Sequence, residues 1–224
     1  MTTPKRIDIK IGSKLYNIST TLIPYFASYT DFQSHSGHTF HEHSDIPCFE
    51  AAYQGAEKGF RHCFRNLDTD LSAYHTLCET LDFLRVDTFG GRSIDAIIED
   101  LKSGKGRHEV DYKRPVFVKG DKATARDSVF RLSYVILREE LEDDIATSQK
   151  FYNAVLFVIS HRAIFKYRAR QTIRAAYEER FSMSKKQMVN LDRWPVHAPD
   201  STEWSDHDVT TEDSSNYELD SDDY

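Results

Sequence analysis

Tyr74, Leu77, Cys78, Leu81 and Leu84 impose the tightest constraint on how this chain folds. They stand at i, i+3, i+4, i+7 and i+10, which places all five on one side of a helix. That helix must bury its apolar side against something. The block Asp45–Asp87 that contains it begins with a short apolar strand seed (Ile46, Cys48, Phe49) and continues as a first helical segment before that helix. Gly55 and Gly59 inside that segment each lower its helical preference by roughly 1 kcal/mol relative to Ala. Asp45–Asp87 therefore reads as strand, helix, helix.

The N-terminal stretch has a different period. Ile7, Ile9 and Ile11 alternate with Asp8 and Lys10, so Arg6–Ile11 reads as a half-buried strand. Gly12-Ser13 can form a two-residue turn, because Gly accepts the positive φ such turns need. Lys14–Ile18 then returns as a second strand. Ser19, Thr20 or Thr21 can cap the next segment, LIPYFASYTDF, and Pro24 suits its first turn. Residues 33–45 read as a polar, His-rich loop. Further on, Ile94–Leu101 is a short amphipathic helix stopped by Ser103-Gly104, and residues 102–121 read as a linker with one extended piece, Pro115–Val118. Beyond it lie helical stripes: Phe130, Tyr134, Leu137 and Leu141, widened by Val129, Leu132 and Ile136; then Phe151, Val155 and Val158; then Ile173, Ala176 and Tyr177.

Charge is distributed unevenly. The net charge is −7, but residues 199–224 hold ten acidic residues and no Lys or Arg. Setting that tail aside leaves the body at +3. The tail is rich in Asp, Glu, Ser and Thr and reads as disordered. Residues 150–193 hold ten Lys/Arg against three Asp/Glu. Three cysteines, Cys48, Cys63 and Cys78, lie in apolar segments without a disulfide framework, as suits a reduced compartment. The N-terminus has no apolar signal region. The longest strongly apolar run, Ala154–Ile159, is far short of the ~20 residues that span a bilayer. A soluble cytosolic or nuclear protein is expected, with no membrane contact.

The order strand, hairpin, strand, helix, then strand, helix, helix resembles the BTB/POZ domain. The resemblance rests on IDIKIGSKLYNISTTLIPYF at 7–26, IPCFEAAYQG at 46–55 and LSAYHTLCETLDFLRVD at 71–87, and covers residues 6–102. It also looks like the divergent BTB-like proteins common in filamentous fungi. Ser19-Thr20-Thr21 replaces the usual polar pair that opens the first helix. Tyr53-Gln54-Gly55 stands near the place of the aromatic-Thr-Gly corner, and the His-rich loop is an insertion. The family implies protein–protein interaction, often self-association, and in some members adaptor work for cullin-type ubiquitin ligases.

Sharper chemical readings compete with plain structural ones. His35, His38, His41 and His43 could chelate zinc with Asp45 or Cys48, but their spacing matches no known zinc motif, and a solvated loop is the simpler reading. Arg162, Lys166, Arg168, Arg170, Arg174 and Arg180, interleaved with Phe165, Tyr167 and Tyr177, could bind nucleic acid. No reading motif accompanies them. The acidic tail could dock on this basic helix, weakly and with strong salt dependence. Ser205, Thr210 and Ser215 each precede an acidic residue by three positions, as acidophilic kinase sites do. Cys78 reads as a core residue despite nearby His75, and the carboxylates from Glu139 to Asp144 read as a solvated helix end.

The expectation is an α+β protein. A BTB/POZ-like domain spans 6–102, a C-terminal helical region 122–195, and a disordered acidic tail 199–224. Its core includes Ile9, Ile11, Leu22, Phe26, Phe49, Leu77, Leu81 and Leu84. The expected role is non-enzymatic scaffolding through protein partners, including itself or a cullin-type ligase scaffold. No catalytic, cofactor-binding or metal-binding residue is assigned. The alternative is a nucleic-acid-binding protein that uses residues 162–180, masked by the tail.

Overall fold

The computed structural model describes residues 5–35, 41–110, 115–139, 141 and 144–194. The fold is mixed α+β, mostly helical, with two small sheets. Strands β1 (Arg6–Ile11) and β2 (Lys14–Ser19) pair antiparallel in full register, Arg6 opposite Ser19 and Ile11 opposite Lys14. Gly12 turns between them at φ +57, and Asp45 packs so close above it that a Cβ there would stand 1.8 Å from Oδ1. Only Gly fits. Ile9, Ile11 and Ile18 are buried on the inner side of this hairpin.

The third strand, β3 (Glu42–His43), runs parallel to β1, giving the order β2-β1-β3. It lies inside the stretch expected to be a polar loop, whereas Ile46–Phe49 is not a strand. Backbone bonds place it: Lys10 N donates to the His41 carbonyl and Gly12 N to the His43 carbonyl, each at 3.0 Å. Beyond it, Pro47 offers no N–H, and Cys48 turns left-handed at φ 51, so the chain enters a helix instead of extending.

Helix α1 (Tyr25–His35) follows a turn in which Leu22 N and Ile23 N both donate to the Ser19 carbonyl. That turn points Ile23 inward, fully buried, and leaves Leu22 40% exposed. The core position expected of Leu22 thus belongs to its neighbour. Helix α2 (Phe49–Lys58) keeps Gly55 in mid-helix, where a Cβ would come within 2.7 Å of the Cys63 sulfur. Gly59 ends it at φ 104. A 3-10 turn (Phe60–His62), α3 (Cys63–Asn66) and α4 (Leu71–Phe83) follow, and all five residues of the α4 stripe are buried.

Helix α5 (Ile94–Asp100) leads through a second 3-10 turn (Leu101–Gly104) into a hairpin, β4 (Arg107–Val110) with β5 (Pro115–Val118). The segment read as a linker therefore pairs with itself. Helices α6 (Lys122–Arg138), α7 (Ile145–Ser160) and α8 (Tyr167–Arg180) carry the expected stripes, with Val129, Phe130, Leu132, Phe151, Val155, Val158 and Ile173 buried, except that α6 ends before Leu141. A short α9 (Lys185–Asp192), which the sequence reading lacks, opens with a capping box between Ser184 and Gln187. One hydrophobic core runs from Ile9 through Leu191. The acidic tail lies outside the described residues.

Candidate interaction surface

Helix α1 is apolar on two sides. Phe26 and Thr30 face the core, and the Thr30 hydroxyl donates back to the Phe26 carbonyl at 2.8 Å. Tyr25, Tyr29 and Phe32 stand at i, i+4 and i+7 on another side. The last turn of α4 brings Phe83 against Tyr25 with ring centroids 4.5 Å apart, and Tyr25 stacks on Tyr29 at 5.8 Å. Phe32 remains 71% exposed and Phe83 48%. Large aromatics that remain open to solvent are the residue types that anchor protein interfaces.

Polar bonds fix this face from behind. The Tyr25 hydroxyl lies 2.9 Å from His43 Nε2, and the Tyr29 hydroxyl donates to the Glu42 carbonyl. Gln33 Nε2 donates to the Tyr29 hydroxyl at 2.7 Å and to the same carbonyl at 3.2 Å. Burial, then Tyr29, raises the Tyr25 phenol above its ordinary pKa, so it stays a neutral donor. The aromatic face therefore rides on β3 and the sheet. A cleft of about 290 Å³ opens beside it, lined by His43, Asp45, Ile46, Pro47, Glu79 and Phe83 among others. A larger groove of about 490 Å³ lies between α5 and α7, where Lys150 pairs with Asp95 and Lys102 with Glu99.

The histidines of the polar loop do not converge. His35 Nδ1 lies 2.6 Å from the Asp31 carbonyl, His41 Nδ1 is 3.1 Å from Gln33 Oε1, and His43 is engaged by Tyr25 and by the Ser44 carbonyl. His38 lies outside the described residues. Among those described, no three His, Cys, Asp or Glu side chains come together as metal ligands. Cys78 is buried, and burial pushes its thiol up to about 12, the opposite of what a nucleophile needs. His75 instead meets Glu179 at 2.7 Å. Asp144 caps α7, and Glu140, Glu142 and Asp143 lie outside the described residues.

Much of the basic helix holds the fold together. Arg168 donates to the carbonyls of Arg65 and Leu67 at 3.1 and 3.0 Å, closing the end of α3. Arg174 bridges Glu178 and Asp192, and Arg180 reaches the Leu141 carbonyl at 3.2 Å. Phe165 and Tyr177 are fully buried, so neither can stack on a base. Arg170 differs from the others. It is 7% exposed, and its Nε and Nη1 have no hydrogen-bond partner. Burial, then the charge of Arg162, lowers its pKa from the usual guanidinium value.

Sequence reasoning assigned no role to the α1 face. Of this helix, only Phe26 is singled out there as a core residue. The available signal was a short helix with aromatics on more than one side, which a single buried stripe does not require.

No protein-family model, curated protein or solved structure matches the chain. Among the described residues, no helix is long and apolar enough to cross a membrane.

Proposed function

We propose that this protein is a non-enzymatic interaction module whose N-terminal half, 6–102, is BTB/POZ-like, and that it self-associates through the aromatic face of α1 and α4. The half-buried Tyr25 and Tyr29 beside the exposed Phe32 and Phe83 carry the reading. The order hairpin, helix, parallel strand, helix, helix over β1 to α4 supports it. In a self-associating pair the same patch meets itself across a two-fold axis, so each exposed Phe can be covered by the partner copy. Burying such aromatics at the centre of an interface accounts for most of the binding energy in typical pairs. An adaptor role toward a cullin-type scaffold would then use another surface of the same module.

The test is light scattering after size exclusion on the full chain, with Phe32→Glu/Phe83→Glu beside it. A wild-type dimer or larger closed assembly is expected. The double variant should be a monomer with an unchanged circular-dichroism spectrum, its association weakened by about a hundredfold or more. A monomeric wild type at ~100 μM, or a double variant that still dimerises, would overturn the reading, because an aromatic patch at an interface centre supports micromolar affinity or better.

A further inference from the structure

The groove between α5 and α7 is a surface that the aromatic face of α1 and α4 does not use. Its α7 wall is a regular helix face: Ala146, Gln149, Lys150, Asn153, Ala154 and Phe157 stand at i, i+3, i+4, i+7, i+8 and i+11. That face runs for about three turns, or ~16 Å at the rise of an α-helix. Ile98 and Leu101 form the opposite wall. Helix α5 packs on α6 and α7 on α8, and about 490 Å³ of open space separates the two walls. The small side chains of Ala146 and Ala154 let a third helix approach closely, toward the ~8 Å limit of helix packing.

Charge decides what kind of helix fits. Among the described residues that line the groove none is acidic, whereas Lys102 and Lys150 are cationic. A third cation, Lys105, lies 5.0 Å from the ring centroid of Phe157, the last residue of the α7 wall. The acids that pair with the rim lysines stand outside the groove. Asp95 meets Lys150 at 2.5 Å and Glu99 meets Lys102 at 2.7 Å, with side chains 82% and 72% exposed. Pairs so open to water hold weakly, so a partner's carboxylate can take the place of either acid. Gln149 Nε2 donates to Asn153 Oδ1 at 2.9 Å, which keeps the middle of the wall polar without charge. An apolar floor between lysines complements an apolar stripe flanked by carboxylates.

We propose that this groove receives an acidic amphipathic helix of a partner protein. The helix lies along α7, its apolar stripe against Ile98, Leu101, Ala154 and Phe157 and its carboxylates at Lys102 and Lys150. Recognition of this kind reads a partner through apolar anchors at i, i+3, i+4 and i+7. It gives the module a second surface, independent of self-association through α1 and α4.

Fluorescence anisotropy with the full chain and two labelled synthetic helices of ~14 residues, about four turns each, tests this. Both carry Leu at i, i+3, i+4, i+7 and i+11. One has Glu at the flanking positions and the other Lys. At ~0.05 M salt the Glu helix should bind about tenfold or more tighter than the Lys helix, and the difference should shrink as salt shortens the screening length. Lys102→Ser/Lys150→Ser should remove the preference. Asn153→Trp, at an exposed position in the middle of the α7 wall, should fill the groove and weaken the Glu helix about tenfold or more. The two variants alter opposite features, charge and space, so loss of one to misfolding leaves the other decisive. Equal binding of the two helices by wild type would overturn the proposal. So would no binding of the Glu helix at ~1 mM, or binding that Asn153→Trp leaves unchanged. A wild-type dimer that Asn153→Trp converts to a monomer would also count against it, because the groove would then belong to a second copy of the chain.

Discussion

Arg85 ends α4 in the left-handed region at φ 57. Its position is dictated by the helix end: Val86 N donates to the Leu81 carbonyl and Arg85 N to the Asp82 carbonyl, each at 3.0 Å. This is the bond pattern of a helix stop that favours Gly at the left-handed residue. Any Cβ there costs about 1–2 kcal/mol. The Arg85 side chain is exposed and makes no hydrogen bond or ion pair among the described residues, so nothing offsets that cost. Glycine would remove the strain and give back part of the gain through greater freedom in the unfolded chain, about 0.5–1 kcal/mol. Arg85→Gly should therefore raise stability by about 0.5–1 kcal/mol, seen as a higher urea midpoint with an unchanged slope. A lower midpoint would mean that the guanidinium contributes more than its surroundings suggest. Cys48, at φ 51, is a different case, because its half-buried sulfur packs 3.8 Å from the Ala73 carbonyl and glycine would leave a gap.

Three of the helices begin on an aspartate. Asp70 accepts from Ser72 N at 3.1 Å, Asp121 from Thr124 N at 3.0 Å, and Asp144 from Thr147 N. These bonds favour the charged carboxylate. Asp70 is lowered first by the Ser72 hydroxyl, Asp121 by the Thr124 hydroxyl, and Asp144 by the Thr147 amide. A carboxyl depressed in the folded state contributes stability that is full above its unfolded pKa of about 3.9 and is lost as pH falls through the folded value. The chain should thus lose stability below about pH 4. Asn caps nearly as well as Asp but does not titrate. Asp70→Asn/Asp121→Asn/Asp144→Asn should keep most of the stability at pH 7 and flatten its decline between pH 5 and 2.5, measured by urea unfolding at each pH. An equally steep decline would assign the acid sensitivity to other carboxylates, such as Glu50, which Gln54 and then Tyr16 hold below the ordinary range. The elements most legible in the sequence are those set by side-chain periodicity. The stripe from Tyr74 to Leu84 and the alternation of Ile7, Ile9 and Ile11 map directly onto α4 and β1. Strand β3 was hidden because two residues held by backbone bonds to β1 leave no side-chain pattern. Leu22 and Ile23 are equivalent by composition, and only the turn on the Ser19 carbonyl separates them. The aromatic face was hidden for a related reason: periodicity marks what is apolar, and whether Tyr25 and Phe32 are covered depends on which elements arrive beside them.

Helix α6 decides whether the chain behaves as one body or two. It begins the C-terminal region but packs against the N-terminal one. Phe130 stacks parallel on Phe60 at 5.4 Å and meets Phe64 edge-on at 5.7 Å. Asp127 accepts from the Arg61 amide at 2.8 Å. The Tyr134 hydroxyl donates to Asp82, which also takes Arg138 at 2.8 Å, and Arg131 donates to the Thr88 carbonyl. On its other side α6 packs along α8, whose Arg168 reaches back to the end of α3. Among the described residues these contacts join the two halves in one hydrophobic core. Cooperativity follows from that continuity, since opening either half exposes the core of the other. Phe130→Ala should cost about 3–5 kcal/mol through the cavity it leaves between Phe60 and Phe64. In a protein of this size that lowers the melting temperature by roughly 6–20 °C. The sharper test is the form of the transition. Calorimetry should give one peak with equal calorimetric and van't Hoff enthalpies, in wild type and in Phe130→Ala alike. Two peaks, with only the earlier one shifted by the substitution, would show that the sheet with α1 to α5 and the helices α6 to α9 fold as separate bodies that merely touch.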